Sequence, residues 1–334
     1  MTTTQMPGNP RRLLVFLVVA LAAGAVATGV ALARTDAPSI GTGVVVINTR
    51  LYQGGSAAGT GMVLTSSGEV LTNNHVIRGA TSIRVVIPGT KHVYSARVVG
   101  YDVADDVAIL KAVGASQLKT VSTAASTKLR IGQSVRAVGN ANGGGRLLAA
   151  RGSITGLRRS ITVNDDAGGT ENLAGLIETN AALQPGDSGG PLLSSAGKVI
   201  GMDTAASARL VSTAADSYAI PIAKALSVGR QIVAGHASSR VHVGATAFLG
   251  IQVQGGDSGG VVLAGVIPGG PAASAGLEAG DVITSIDGHA VTTPSSLTSY
   301  LLTKKPGNSV SIDYMDSFGA AQTVTVKLAS GPPQ

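Results

Sequence analysis

Between Gly43 and Met202 the chain alternates short Val- and Ile-rich runs with breaks of Gly, Ser and Asn. One set comprises Gly43–Asn48, Gly61–Thr65, Ser82–Ile87, Ala96–Val99 and Val107–Leu110. A second comprises Val135–Val138, Gly152–Leu157, Gly175–Thr179, Pro191–Leu193 and Lys198–Met202. Short apolar runs bounded by turn formers predict strands, and two such sets predict two β-barrels. After Ile220-Pro221 the period changes, for Ile222-Ala223-Lys224-Ala225-Leu226 through Ile232-Val233 has helical spacing and Gly235 can end it. Residues 236–241 read as a linker.

The N-terminal pattern is different. Arg11-Arg12 precede an apolar run from Leu13 to Ala33 that carries no charge. About 20 apolar residues suffice to cross a bilayer. The arginines would stay cytoplasmic, which places the remainder outside. Ala31-Leu32-Ala33 also has the form of a cleavage site, so a membrane anchor and a removed signal peptide both stay open. The protein is expected at the cell membrane with its folded part outside the cytoplasm, or secreted if the segment is cleaved.

Composition narrows the classes. With 334 residues, 46 glycines, 44% hydrophobic and 13% charged residues, the chain can bury several cores and turn often between them. Aromatics make up 3% and tryptophan is absent, so packing rests on Val, Ile, Leu and Ala. Without cysteine there is no disulfide, thiolate metal site or cysteine nucleophile. The net charge of +7 is spread out, with Arg158-Arg159 and Lys304-Lys305 the later basic pairs, read as solvated loops. No interleaving of aromatic and basic residues points to nucleic acid. No residue cluster calls for a metal or another cofactor.

Candidate chemistry centres on Gln184-Pro185-Gly186-Asp187-Ser188-Gly189-Gly190-Pro191. Glycines flanking a serine let the backbone turn tightly, expose the hydroxyl and aim the Gly186 and Ser188 N–H groups at an attacked carbonyl oxygen. A serine hydroxyl is a poor nucleophile without a base, and the base needs an orienting carboxylate. Upstream stand Leu71-Thr72-Asn73-Asn74-His75-Val76-Ile77 and Asp105-Asp106-Val107-Ala108-Ile109-Leu110. The order His, Asp, Ser is that of chymotrypsin-like enzymes. Asp102 and Asp105 lie close to Asp106, and Asp105 reads as a solvated turn residue. His92, His236, His242 and His289 have no partner motif. Gly256-Asp257-Ser258-Gly259-Gly260 repeats the nucleophile string without its flanking partners, and reads as a glycine-rich hairpin turn.

Thr72-Asn73-Asn74-His75-Val76, Asp106-Val107-Ala108-Ile109-Leu110 and Gly186-Asp187-Ser188-Gly189-Gly190 together resemble the signatures of the HtrA (DegP-like) serine proteases, in pattern the small actinobacterial type. The resemblance implies a mainly-β chain: a chymotrypsin-like double β-barrel followed by a PDZ domain. It implies Ser188 as nucleophile, His75 as general base and acid, Asp106 as the residue holding the imidazole, and Gly186 and Ser188 N–H groups as oxyanion hole. Ala182, six residues before the nucleophile, and Thr204 would line the S1 pocket, which suits a small or apolar P1 residue. Phe248-Leu249-Gly250-Ile251 resembles the loop that captures a peptide carboxylate, and Gly269–Gly288 resembles the PDZ helix and following strand.

The boundaries that follow are 1–12 for a cytoplasmic basic segment, 13–33 for the anchor or signal peptide, 34–42 for a linker, 43–225 for the protease, 226–243 for helix and linker, and 244–331 for the PDZ domain. The expected function is a serine endopeptidase of the bacterial cell envelope, cleaving unfolded or exposed protein segments, with peptide C-termini bound at the PDZ domain. The alternative is a latent protease acting as a chaperone or peptide-binding scaffold. The family commonly forms homotrimers through aromatic contacts, but Tyr52 is the aromatic residue at hand, so a monomer stays open as well.

Overall fold

The computed structural model describes residues 35–36, 41–52, 54–90, 92–124, 128–164, 170–204, 217–255 and 259–334. The 13–33 run lies outside them, and among the described residues no helix is long and apolar enough to cross a membrane.

The first Val/Ile-rich set folds into β2 (Val44–Leu51), β3 (Ser56–Val63), β4 (Glu69–Thr72), the single-turn helix α1 (Asn74–Ile77), β5 (Ala80–Val86), β6 (Val93–Asp102) and β7 (Val107–Ala112), after a short β1 (Thr35–Asp36). These strands pair antiparallel in the order β6-β5-β2-β3-β4-β7, and β7 returns to β6. Closure leaves no open edge among the six. Val45, Ile47, Val63, Val70, Val85 and Leu110 fill the interior.

The second set gives β8 (Ser134–Gly139), β9 (Leu148–Asn164), β10 (Thr170–Thr179), β11 (Pro191–Ser194), β12 (Val199–Thr204) and β13 (Ser217–Pro221), in the order β9-β10-β13-β12-β11-β8 with β8 closing on β9 and β1 added outside β9. Ala137, Ile154, Ile177, Leu192 and Ile200 form its core. The strand β9 runs well beyond the apolar run at 152–157. Its extension pairs with β10 along residues 159–164, with the buried Ile161 opposite Leu173, and Arg159 binds Glu178 at 2.9 Å. Arg158-Arg159 therefore belong to a strand, with Arg158 at a positive φ of 55° beside register shifts, and the expected solvated loop is replaced by a bulged ribbon.

Helix α2 (Ile222–Val233) begins and ends as its periodicity predicts, and Gly235 closes it at φ 75°. It buries Ile222, Ala225, Val228 and Ile232 in the same core as Val107 and Ile109 of the first barrel and Met202 and Ile220 of the second. The linker expected over 236–241 gives way at its end to β14 (Val241–Val243), which pairs with Gly100–Asp102 of β6. This strand has too few residues to show a period.

Beyond it, β15 (Thr246–Phe248) pairs with β22 (Ala329–Gly331), and a second sheet runs β16 (Ile251–Gly255), β17 (Val261–Val266), β18 (Val282–Ile286), β20 (Ser309–Met315) and β21 (Ala321–Lys327), with β19 (His289–Ala290) beside β18. Helices α3 (Pro271–Ser274) and α4 (Pro294–Leu302) accompany it. Helix α4 starts from Thr293, whose Oγ1 accepts from Ser296 N at 3.1 Å while Ser296 Oγ accepts from Thr293 N. Leu249, Leu263, Ile283, Ile286, Leu297 and Ile312 make a separate core. Gly255 faces Val261 across the β16–β17 hairpin, so the repeated serine string spans its connection, with residues 256–258 outside the described ones.

Candidate active site

His75 occupies α1, the turn that follows β4, and Asp106 immediately precedes β7, the neighbour of β4 in the barrel. Strand pairing thus brings together two residues 31 positions apart. His75 Nδ1 lies 2.9 Å from Asp106 Oδ2 and 3.1 Å from Oδ1, and the His75 N–H donates to Oδ1 at 3.0 Å. A proton on Nδ1 thereby satisfies the carboxylate and leaves Nε2 as the lone-pair nitrogen. Asp106 is only 3% exposed and has φ 53°, a left-handed conformation that aspartate tolerates better than most residues. Asn73 Nδ2 donates to its carbonyl at 3.0 Å and Thr204 Oγ1, reaching across from the second barrel, donates to Oδ2 at 3.4 Å.

Of the two neighbouring acids, Asp105 departs from the expectation. Asp105 is not a solvated turn residue: its Oδ1 meets Lys224 Nζ and Arg240 Nη2, each at 2.7 Å. Asp102 is buried, accepts from Asp105 N at 2.9 Å, and burial pushes its carboxyl above the ordinary 3.8. Ion pairs with residues more than a hundred positions downstream leave no local sequence signal, which is why Asp105 read as bland.

Ser188 sits in a loop between Thr179 and β11, 5% exposed. That loop is fastened to the first barrel. Thr60 N donates to Ser188 O at 2.8 Å, and the Thr60 hydroxyl donates to Gly186 O at 2.7 Å while accepting from Asn140 N at 2.9 Å. Gly189 N donates to Asp203 O and Asp203 N to Gly190 O, tying the loop to β12. Gly186 and Gly189 have φ of 95° and 84°, and a Cβ on Gly189 would stand 2.1 Å from Thr60 O. Only glycine meets both the conformation and the close approach. Asp187 is fully buried and its Oδ2 accepts from Gln184 N at 2.8 Å, so it anchors the loop from within. Thr60 is a supporting residue that sequence reading missed, since an isolated threonine in a strand carries no motif.

Ala182 is half-buried just upstream, and Asp203 is completely buried. In the C-terminal module, Leu249 is buried, Gly250 has φ 80°, and Phe248 and Ile251 are half-buried. Ile267 N donates to Gly250 O and Ala272 N to Leu249 O, each at 2.9 Å, which fixes the loop ahead of β16. The strand β16 is at the end of its sheet, with β17 on one side only. Of the other histidines, His92 and His236 are exposed, His289 packs against Tyr300, and His242 is buried against Tyr101 with Leu302 O 3.0 Å from Nδ1.

Residues 59–202 match the model of the trypsin-like peptidase domain and residues 247–328 that of the PDZ domain. The chain is 30% identical over 302 residues to the serine protease PepD of Mycobacterium tuberculosis, an alignment covering 85% of this chain and 63% of that protein. It is 36% identical over 293 residues to the serine protease Do-like HtrA of Lactococcus lactis, covering 82% of this chain and 71% of that one. It thus spans roughly two thirds of the length of these relatives. A solved structure of the HtrA-type protease AlgW with a tripeptide superposes with a TM-score of 0.50 at 29% identity, covering 88% of this chain and 95% of AlgW. By fold, by domain content and by these identities, the chain belongs to the HtrA family of trypsin-like serine proteases with a PDZ domain.

Proposed function

We propose that this chain is an envelope serine endopeptidase in which Ser188, His75 and Asp106 act as the catalytic triad. The single observation that carries the reading is the 2.9 Å contact of His75 Nδ1 with the buried Asp106 carboxylate. Thr60 supports it by fastening the nucleophile loop to β3, and the Thr72 hydroxyl, which donates to Thr60 O at 2.8 Å, ties that strand to β4, which leads into His75. Nε2 takes the Ser188 proton as Oγ attacks the scissile carbonyl, and Asp106 stabilises the imidazolium that forms. The proton then passes to the leaving amine, and water releases the acyl group by the same route in reverse. Gly186 and Ser188 N–H groups receive the developing oxyanion, each such donor contributing roughly 100- to 1000-fold in rate.

Ala182 and Thr204 border the S1 pocket in this reading. The hydroxyl of Thr204 is turned to Asp106, and Ala182 brings no charge, which favours a small or apolar P1 side chain. Unfolded or exposed protein segments are the substrates. Phe248, Leu249, Gly250 and Ile251 receive a peptide carboxylate, and the peptide adds as a strand to the free edge of β16. The charge-free run from Leu13 to Ala33 exports the folded part from the cytoplasm.

Casein hydrolysis by the intact chain and by Ser188→Ala tests the mechanism: cleavage should disappear in the variant and persist in Ser258→Ala. Hydrolysis that survives Ser188→Ala would overturn the assignment.

A further inference from the structure

Beyond β22 the chain leaves the PDZ module and returns to the first barrel. Three backbone groups of residues 333–334 bond there. Pro333 O accepts from Gly79 N at 2.8 Å, Gln334 O accepts from Asn74 Nδ2 at 2.9 Å, and Gln334 N donates to the Tyr101 hydroxyl at 3.3 Å. Asn74 and Gly79 bracket α1, the turn that carries His75.

A helix of four residues does not hold its own shape, because one turn fixes several dihedrals for a single hydrogen bond, here Arg78 N to Asn74 O at 3.0 Å. Its geometry is therefore set by what surrounds it. On the inner side, Asn73 and His75 bond Asp106, and Val76 and Ile77 pack into the core of the first barrel. On the outer side the contacts come from residues 333–334. Tyr101, the acceptor of one of them, is completely buried, and its hydroxyl also bonds Thr246 Oγ1 at 3.0 Å at the start of β15, the partner strand of β22. The segment is thus held at both ends.

Resting on the triad reading above, we infer that residues 332–334 form a strap that positions His75: they touch neither substrate nor reacting atoms, and act by holding α1 in register with Asp106. The strap is also in line with the candidate peptide loop. Gly331 lies flat on Phe248, where a Cβ would stand 2.4 Å from Phe248 Cβ, and the Phe248 ring packs edge-on against Tyr52 of the first barrel at 5.5 Å.

All three strap bonds use its own backbone atoms, so side chain and backbone can be separated experimentally. In the full chain, deletion of residues 332–334 should lower kcat on a short peptide by about 10- to 100-fold, the scale of a ~1 Å misplacement of a catalytic group, with KM little changed. The acid limb of the kcat–pH profile should move as well. Replacing Pro332-Pro333-Gln334 by three alanines keeps the backbone bonds and should retain most of the rate. A deletion with the kcat and pH profile of the intact chain would overturn the inference.

Hydrogen exchange on the Ser188→Ala chain gives a second readout that needs no activity. Removing the strap should speed exchange over residues 74–79 and leave β20 and β21 unchanged. Unaltered exchange at 74–79 would also overturn the inference. Failure of the intact chain itself to hydrolyse peptide would count against the triad, and the exchange result would still decide the strap.

Discussion

At the scale of single residues, the site combines one residue in a costly backbone conformation with several side chains that hold it. Asp106 at φ 53° costs of order 1 kcal/mol, and Asn73, Thr204 and the His75 N–H each bond it. Asp106→Asn should keep the fold and lower kcat by about 10,000-fold, since the amide favours the wrong imidazole tautomer; circular dichroism and single-turnover kinetics check both halves. Thr60→Val removes a hydroxyl that both donates to Gly186 O and accepts from Asn140 N, and should cost about 1–3 kcal/mol by urea unfolding while slowing hydrolysis. The buried Asp102 gives a prediction with a defined sign. Its raised folded value means that the native chain binds this proton more tightly than the unfolded chain does. Its contribution therefore falls as pH rises from about 3.8 through the raised value, and stays low above it. Asp102→Asn should melt higher than the intact chain at pH 7, and the gap should close as the pH falls below 3.8.

At the scale of elements, the chemistry is assembled by strand order. Pairing of β4 with β7 delivers His75 to Asp106, and the hydrogen bonds of β3 to the loop before β11 bring the second barrel's serine to the first barrel. Most strands were legible because Val and Ile runs broken by Gly and Ser are a local signal. Helix α2 was legible to its ends for the same reason, its apolar period matching the buried face. The elements that were not legible owe their conformation to distant partners. The bulged half of β9 is a strand because β10 lies beside it, and β14 is a strand because Gly100–Asp102 of β6 run on past the residues that pair with β5. Asp105 reads as an ordinary turn residue until Lys224 and Arg240 arrive from α2 and the segment after it.

At the scale of the whole molecule, the PDZ module and the protease share specific contacts: Tyr52 with Phe248, Tyr101 with Thr246 and His242, and the strap on α1. Tyr52, the aromatic residue that a homotrimer contact would draw on, is engaged within its own chain. A Tyr52→Ala variant should leave basal cleavage of a short peptide in place and alter its response to peptides ending in apolar carboxylates, measured as stimulated over basal rate. The motifs that carry the proposed triad stand out because each combines rare residue types in a fixed order, whereas Thr60, Asn73 and residues 332–334 support them from positions with no signature. The central claim is that Ser188 is a nucleophile activated by His75. The most direct measurement is labelling of the full chain with a fluorophosphonate followed by mass spectrometry of its peptides. The modification should fall on Ser188 alone and be lost in His75→Ala; labelling at another serine, or undiminished labelling without His75, would contradict the account.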